Sequence, residues 1–341
     1  MLKRLPLKTR NLWSLAVLVL VAGLASCTQE TTPSQTATDS AVSSEEKLTV
    51  VASNRVLCDL TEKIARDTVQ LNCLLDPNQD PHTYRITPSD RKAVETAQLV
   101  LYGGYNLEPG VEGLVKATNA PSPKVAVFEE AVPNPLRGEA HTPDHEEEEH
   151  TEGKGDMAPD PHVWLDVQNG IAIVEVISNQ LAEVNADNAD FYARNTEQLK
   201  TELEQLDTWV KEQVATIPKA QRKLITTHDA LGYYVQAYGF ESAESLQGLS
   251  TEESPSAARV KELVEIIEQA KVPTIFAETT TNERAIDTVA REANVKVSDQ
   301  KLIVGGLGEE NSEAGAYIST IASNTCAIVN GLGGQCTPFT E

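Results

Sequence analysis

Residues 48–75 read LTVVASNRVLCDLTEKIARDTVQLNCLL. Leu48–Ser53 is a short apolar run and predicts a buried strand. Arg55–Ala65 has helical spacing, and Val69–Leu75 is apolar again. A strand, a helix of about three turns and a second strand within 28 residues form a β–α–β unit, which implies parallel pairing. The same alternation continues outward. Ser89–Ala97 predicts a helix with Ser89 as its cap, Gln98–Gly103 a strand, and Lys124–Glu129 a further strand after another helical stretch.

Pro133–Pro161 breaks this order. It holds His141, Asp144, His145, Glu146 to Glu149, His150 and Glu152, and its composition predicts a solvated loop. Helical patterns then cover Val167–Glu183 and Asp190–Val214, the second ending before Pro218. At about 1.5 Å per residue the second would span about 35 Å, enough to serve as a strut. Beyond it, Lys223–Thr227, Pro273–Thr279 and Val295–Ser298 predict strands. Ala230–Tyr238, Ser254–Lys271, Asn282–Asn294 and Ala316–Leu332 predict helices. The fold class is therefore α/β: two lobes, each with a mainly parallel sheet flanked by helices, joined by a long rigid helix. The length of 341 residues suits two lobes better than one.

The start of the chain is of another kind. Lys3, Arg4, Lys8 and Arg10 precede the apolar run Leu12 to Leu24, which is too short to cross a bilayer comfortably and has the form of a signal segment. It ends in Leu24–Ala25–Ser26–Cys27, which resembles a bacterial lipobox with Cys27 as the lipidated residue. Residues 1–26 are then a lipoprotein signal peptide and 27–46 a flexible tether, and the location is extracytoplasmic, at the periplasm or cell surface. Four basic and no acidic residues leave with the signal, which takes the net charge from −23 to −27 and argues against nucleic acid. Cys58, Cys73, Cys326 and Cys336 remain. An even number in an exported chain implies disulfides. Three pairings are open, and Cys58–Cys73 with Cys326–Cys336 is the closest in sequence.

Six histidines are present. His82 and His162 each close an Asp-Pro-His tripeptide, and His228 follows the strand Lys223–Thr227 and precedes Asp229. Ligands of open α/β sheets gather beyond the carboxyl ends of strands. Two proline-stiffened loops and one strand end can thus deliver three imidazoles to a cleft. Imidazole is a common metal ligand. Asp229 and Glu278 are candidates to hold the far nitrogens of the rings, Asp229 being equally suited to cap the next helix.

Asp80-Pro-His-Thr-Tyr84 with Pro88-Ser-Asp90, Asp160-Pro-His-Val-Trp-Leu-Asp166 and Thr227-His-Asp-Ala-Leu-Gly-Tyr233, followed by Phe276-Ala-Glu-Thr279 and Asn282, resemble the metal receptors of bacterial ABC importers. The resemblance covers about residues 48–332. It implies an N-terminal metal-binding lobe over 47–187 with the acidic loop at 133–161, a linking helix over 188–217, and a C-terminal metal-binding lobe over 218–341. It also implies a membrane permease as partner, a monomer held to the membrane by its lipid, and no enzyme activity.

The metal ligands carried over are His82, His162 and His228. Manganese receptors of the family have a carboxylate at the third place, so three imidazoles favour Zn2+, with manganese as the alternative. The family's further aspartate is missing: Gly305 stands in its place, and Asp299 lies several residues away. Water is expected as the fourth ligand. His141, His145 and His150 would form an auxiliary metal site in the acidic loop. A surface adhesin and a zinc hydrolase are the competing functions. No H-E-x-x-H or Gly-x-Ser-x-Gly motif supports the hydrolase.

Overall fold

The computed structural model describes residues 47–139, 157–252, 254–309 and 311–340. The signal segment, Cys27, the tether, and His141, His145 and His150 lie outside the described residues.

The first lobe is built on one parallel sheet. Strands β1 (Leu48–Ala52), β2 (Val69–Cys73), β3 (Leu99–Tyr102) and β4 (Lys124–Ala126) lie in the order β2-β1-β3-β4. Helix α1 (Arg55–Ala65) joins β1 to β2, and Asn54 caps it by accepting from the Leu57 amide. Val50 and Ala52 point into one apolar layer with Leu99 and Leu101, whereas Val51 and Val100 point into another with Val94 and Val111. Both faces of the sheet are covered, which is why its strands read as continuous apolar runs. Helices α2 (Pro88–Thr96) and α3 (Pro109–Ala117) supply the second layer. Thr87 and Asp90 form a capping box at the start of α2.

Two segments up to this point differ from the sequence expectation. The strand expected over Lys124–Glu129 ends at Ala126. Helix α4 (Val127–Ala131) follows, because the Phe128 amide turns to the Gly103 carbonyl and buries Val127 and Phe128. The loop 133–161 is not wholly irregular: β5 (Arg137–Glu139) and β6 (Met157–Pro159) pair antiparallel at its base. Each is three residues long and largely exposed, too little for a period-two pattern to show.

Helix α5 (Val167–Val184) leads into α6 (Ala189–Ala215), the 27-residue strut. Leu199, Leu203, Leu206, Val210 and Val214 of α6 pack into the same core as β1, β3 and α5. That core continues through the last helix, α10 (Tyr317–Gly331).

In the second lobe β7 (Lys223–His228) pairs parallel with β8 (Ser242–Gln247), and α7 (Gly232–Tyr238) crosses between them. Strand β8 had no apolar signal: only Leu246 of its residues is a large apolar side chain, and it is buried. After α8 (Ala257–Ala270) comes β9 (Thr274–Ile275), shorter than the run Pro273–Thr279 suggests. It pairs with β10 (Lys296–Val297) beyond α9 (Glu283–Glu292). The Phe276 amide donates to the Ile225 carbonyl, and Glu278 bridges Leu302, so the pairing continues beyond the strands. Helix α10 (Tyr317–Gly331) closes the lobe. Cys58 is bonded to Cys73, and Cys326 to Cys336.

Candidate metal centre

Two turns and one strand end present the histidines. After β2 the chain makes a single turn at Pro81–Thr83, and the Asp80 carboxylate accepts from the His82 amide at 3.0 Å. His162 begins a similar turn, and Asp160 accepts from its amide at 2.9 Å. The two Asp-Pro-His tripeptides share one contact, the aspartate carboxylate accepting from the histidine amide two residues on. Only in the first does the aspartate cap the turn and proline start it; the second turn, Val163–Leu165, begins after His162. His228 is the last residue of β7.

The rings converge. His162 Nε2 lies 3.2 Å from His82 Nε2 and 3.3 Å from His228 Nε2. Among the described residues these three are the one histidine, cysteine and carboxylate group with geometry able to hold a metal ion. Nitrogens bound at about 2.0–2.1 Å around a tetrahedral ion are spaced by about 3.3 Å, so one ion fits between the three. His162 and His228 are fully buried, and His82 is 6% exposed.

Two carboxylates fix the other side of the rings. Asp160 Oδ1 accepts from His162 Nδ1 at 2.9 Å. Glu278, itself fully buried, accepts from the Thr227 and His228 amides at 3.1 and 3.0 Å and from His228 Nδ1. With Nδ1 donating, Nε2 presents its lone pair to the cleft.

The electrostatics follow. Burial, reinforced by its neighbours, holds His82 well below the ordinary histidine range, and burial with His228 close by does the same to His162. For His228 burial also lowers the pKa, but Glu278 outweighs it and the net shift is upward. Burial raises Asp160 to about 7.

The other candidates fall elsewhere. Asp229 makes no hydrogen bond to any of the three rings; burial and Asp160 raise it to about 6. Nor does it cap α7, whose cap residue is Leu231. Asp299 is exposed and paired with Lys296 at 2.6 Å. Gly305 is near: a Cβ there would lie 3.4 Å from Pro81 Cδ and 3.2 Å from Thr280 Oγ1. Sequence reasoning overlooked Asp160 as the partner of His162, although the repeated Asp-Pro-His signal contains it. It also overlooked Thr251, whose hydroxyl reaches Asp80 from the second lobe.

Comparison with known proteins bears on this arrangement. The profile of the family described as "Zinc-uptake complex component A periplasmic" matches residues 50–331. The manganese ABC transporter substrate-binding lipoprotein PsaA of Streptococcus mitis is 31% identical over 298 residues, covering 85% of this chain and 90% of its own. The metal ABC transporter substrate-binding lipoprotein FimA of Streptococcus parasanguinis is 32% identical over 292 residues, covering 84% and 89%. Among solved structures, the periplasmic zinc binding protein TroA from Treponema pallidum superposes with a TM-score of 0.75 at 28% identity. That match covers 84% of this chain and 99% of TroA.

Proposed function

This chain belongs to the family of periplasmic zinc-uptake components, which makes it an extracytoplasmic metal-binding receptor of an ABC importer rather than an enzyme, and we propose that its cargo is Zn2+ held by His82, His162 and His228. The observation that carries the choice of metal is the donor set: three buried imidazole nitrogens and no carboxylate oxygen among them. Imidazole is a borderline donor suited to zinc, whereas manganese prefers hard oxygens. PsaA is named for manganese, so the distinction rests on this chain's own ligands. Glu278 and Asp160 orient two of the rings and raise their basicity.

Residues 47–187 and 218–341 form the two metal-binding lobes, and 188–217 the strut between them. Cys27 carries the lipid, residues 27–46 tether the body, and a monomer delivers its ion to a membrane permease. The acidic loop with His141, His145 and His150 gathers zinc at a second, weaker site, because a tethered loop loses conformational freedom on closing around an ion. Competition titration of the purified protein with zinc and manganese tests the assignment. Zinc should bind one tight site and exclude manganese; tight manganese binding that zinc fails to displace would reject it.

A further inference from the structure

Helix α7 begins with Gly232 and Tyr233, and both meet the segment that carries His162. Tyr233 is buried. Its hydroxyl accepts from the Leu136 amide at 2.9 Å and donates to the Asp160 carbonyl at 3.3 Å. A Cβ on Gly232 would stand 2.9 Å from Asp160 Oδ2, so any larger residue there would push that carboxylate aside. The other oxygen of the same carboxylate, Oδ1, holds the amide and the ring of His162.

The hydroxyl occupies a particular place in the β5–β6 ladder. Arg137 opposes Pro159, Gly138 opposes Ala158 and Glu139 opposes Met157, so Leu136 and Asp160 are the next opposed pair. A hydrogen-bonded pair of this kind exchanges two N–H···O bonds. Here one is direct, from the Asp160 amide to the Leu136 carbonyl at 2.7 Å. The Tyr233 hydroxyl stands in the place of the other, between the Leu136 amide and the Asp160 carbonyl. A side chain of the second lobe is thus built into the last rung of a first-lobe hairpin, two residues before His162.

We propose that Tyr233 is a positioning residue for zinc: its hydroxyl latches the His162 loop to the lobe that carries His228 and so slows release of the ion. The latch rests on the reading of the triad as a zinc site. His162 reaches the ion from the first lobe and His228 from the second, so the ion leaves when the two separate, and the latch must open for that. The hairpin itself does not depend on the latch. Without the hydroxyl, the Leu136 N–H and the Asp160 carbonyl are free to bond directly and complete the rung inside the first lobe. Removing it therefore unlinks the lobes and leaves the hairpin paired, and the loss falls on dissociation rather than association.

Zinc release into excess chelator, followed by stopped flow on the full chain, tests this. Tyr233→Phe should release zinc about tenfold faster than the native protein, the worth of about one hydrogen bond, with the association rate unchanged. Tyr234→Phe removes a hydroxyl from the same helix, but one bonded to Thr325 inside the second lobe, and should release zinc at the native rate. In a His162→Ala background the latched loop no longer holds the ion, so adding Tyr233→Phe should leave the residual zinc affinity unchanged. Release at the native rate in Tyr233→Phe, equal acceleration in Tyr234→Phe, or a further tenfold loss in the His162→Ala background would each overturn the latch. A native protein that holds no zinc would instead reject the metal reading, and the latch with it.

Discussion

Glu278 grips His228 twice, accepting from its backbone amide at 3.0 Å and from its ring Nδ1. One buried carboxylate thereby fixes the end of β7 and the rotation of the imidazole it carries. Glu278→Gln keeps the shape but presents an amide to Nδ1 in place of a full charge. Zinc affinity should fall by about 10- to 100-fold with the fold intact. Calorimetry alongside circular dichroism checks this, and unchanged affinity would show that the ring needs no such partner.

Asp160 holds His162 in the same manner, accepting from its ring Nδ1 and its backbone amide, each at 2.9 Å. Asp160→Asn should retain the contact to the His162 amide and lose the charge, lowering zinc affinity by a similar factor. Asp229→Asn, one residue from His228 but bonded to none of the rings, should change affinity far less. Equal losses in the two variants would contradict the geometry.

Each histidine is one of three protein donors. Replacing His82, His162 or His228 by alanine should abolish most high-affinity binding, at a cost of at least about 100-fold. Near-normal affinity in any single variant would remove that residue from the ligand set.

Proton release gives an independent check. Zinc binds neutral imidazole, and Glu278 raises His228 above its ordinary value of 6.5. At pH 6.5 the proton on His228 must therefore leave when the ion enters. Asp160, raised to about 7, also ionises more readily beside a cation. Binding should release about one or two protons, and affinity should climb as pH rises through 6.5 and 7. Calorimetry in buffers of different ionisation enthalpy measures the number. A buffer-independent heat at pH 6.5 would contradict the assignment.

Gly305 has an ordinary negative φ and can accept a side chain without backbone strain. Gly305→Asp should bring a carboxylate beside Pro81 and Thr280, tightening metal binding and raising the relative affinity for manganese, a harder ion. Unchanged affinities in a folded variant would show that this position does not reach the metal.

Much of this was legible before the fold. α1 declared itself because its apolar residues are buried along one helical face, and β1 and β3 because both of their faces are buried and they read as continuous apolar runs. The three histidines stood out through repeated context, Asp-Pro-His at two turns and a strand end at the third. What stayed hidden had no local signal. β8 is mostly polar and is held by pairing with β7, and β5 with β6 is too short for any period to register. The partner of His162 was missed because reasoning looked forward from each histidine, to Asp229 for example, and not two residues back.

The most direct test is diffraction from crystals grown with equimolar zinc and manganese, with data recorded at both absorption edges. The account predicts a single zinc peak about 2.0–2.1 Å from Nε2 of His82, His162 and His228, with no manganese signal there. Manganese at that position, or zinc bound elsewhere with the three rings free, would contradict it.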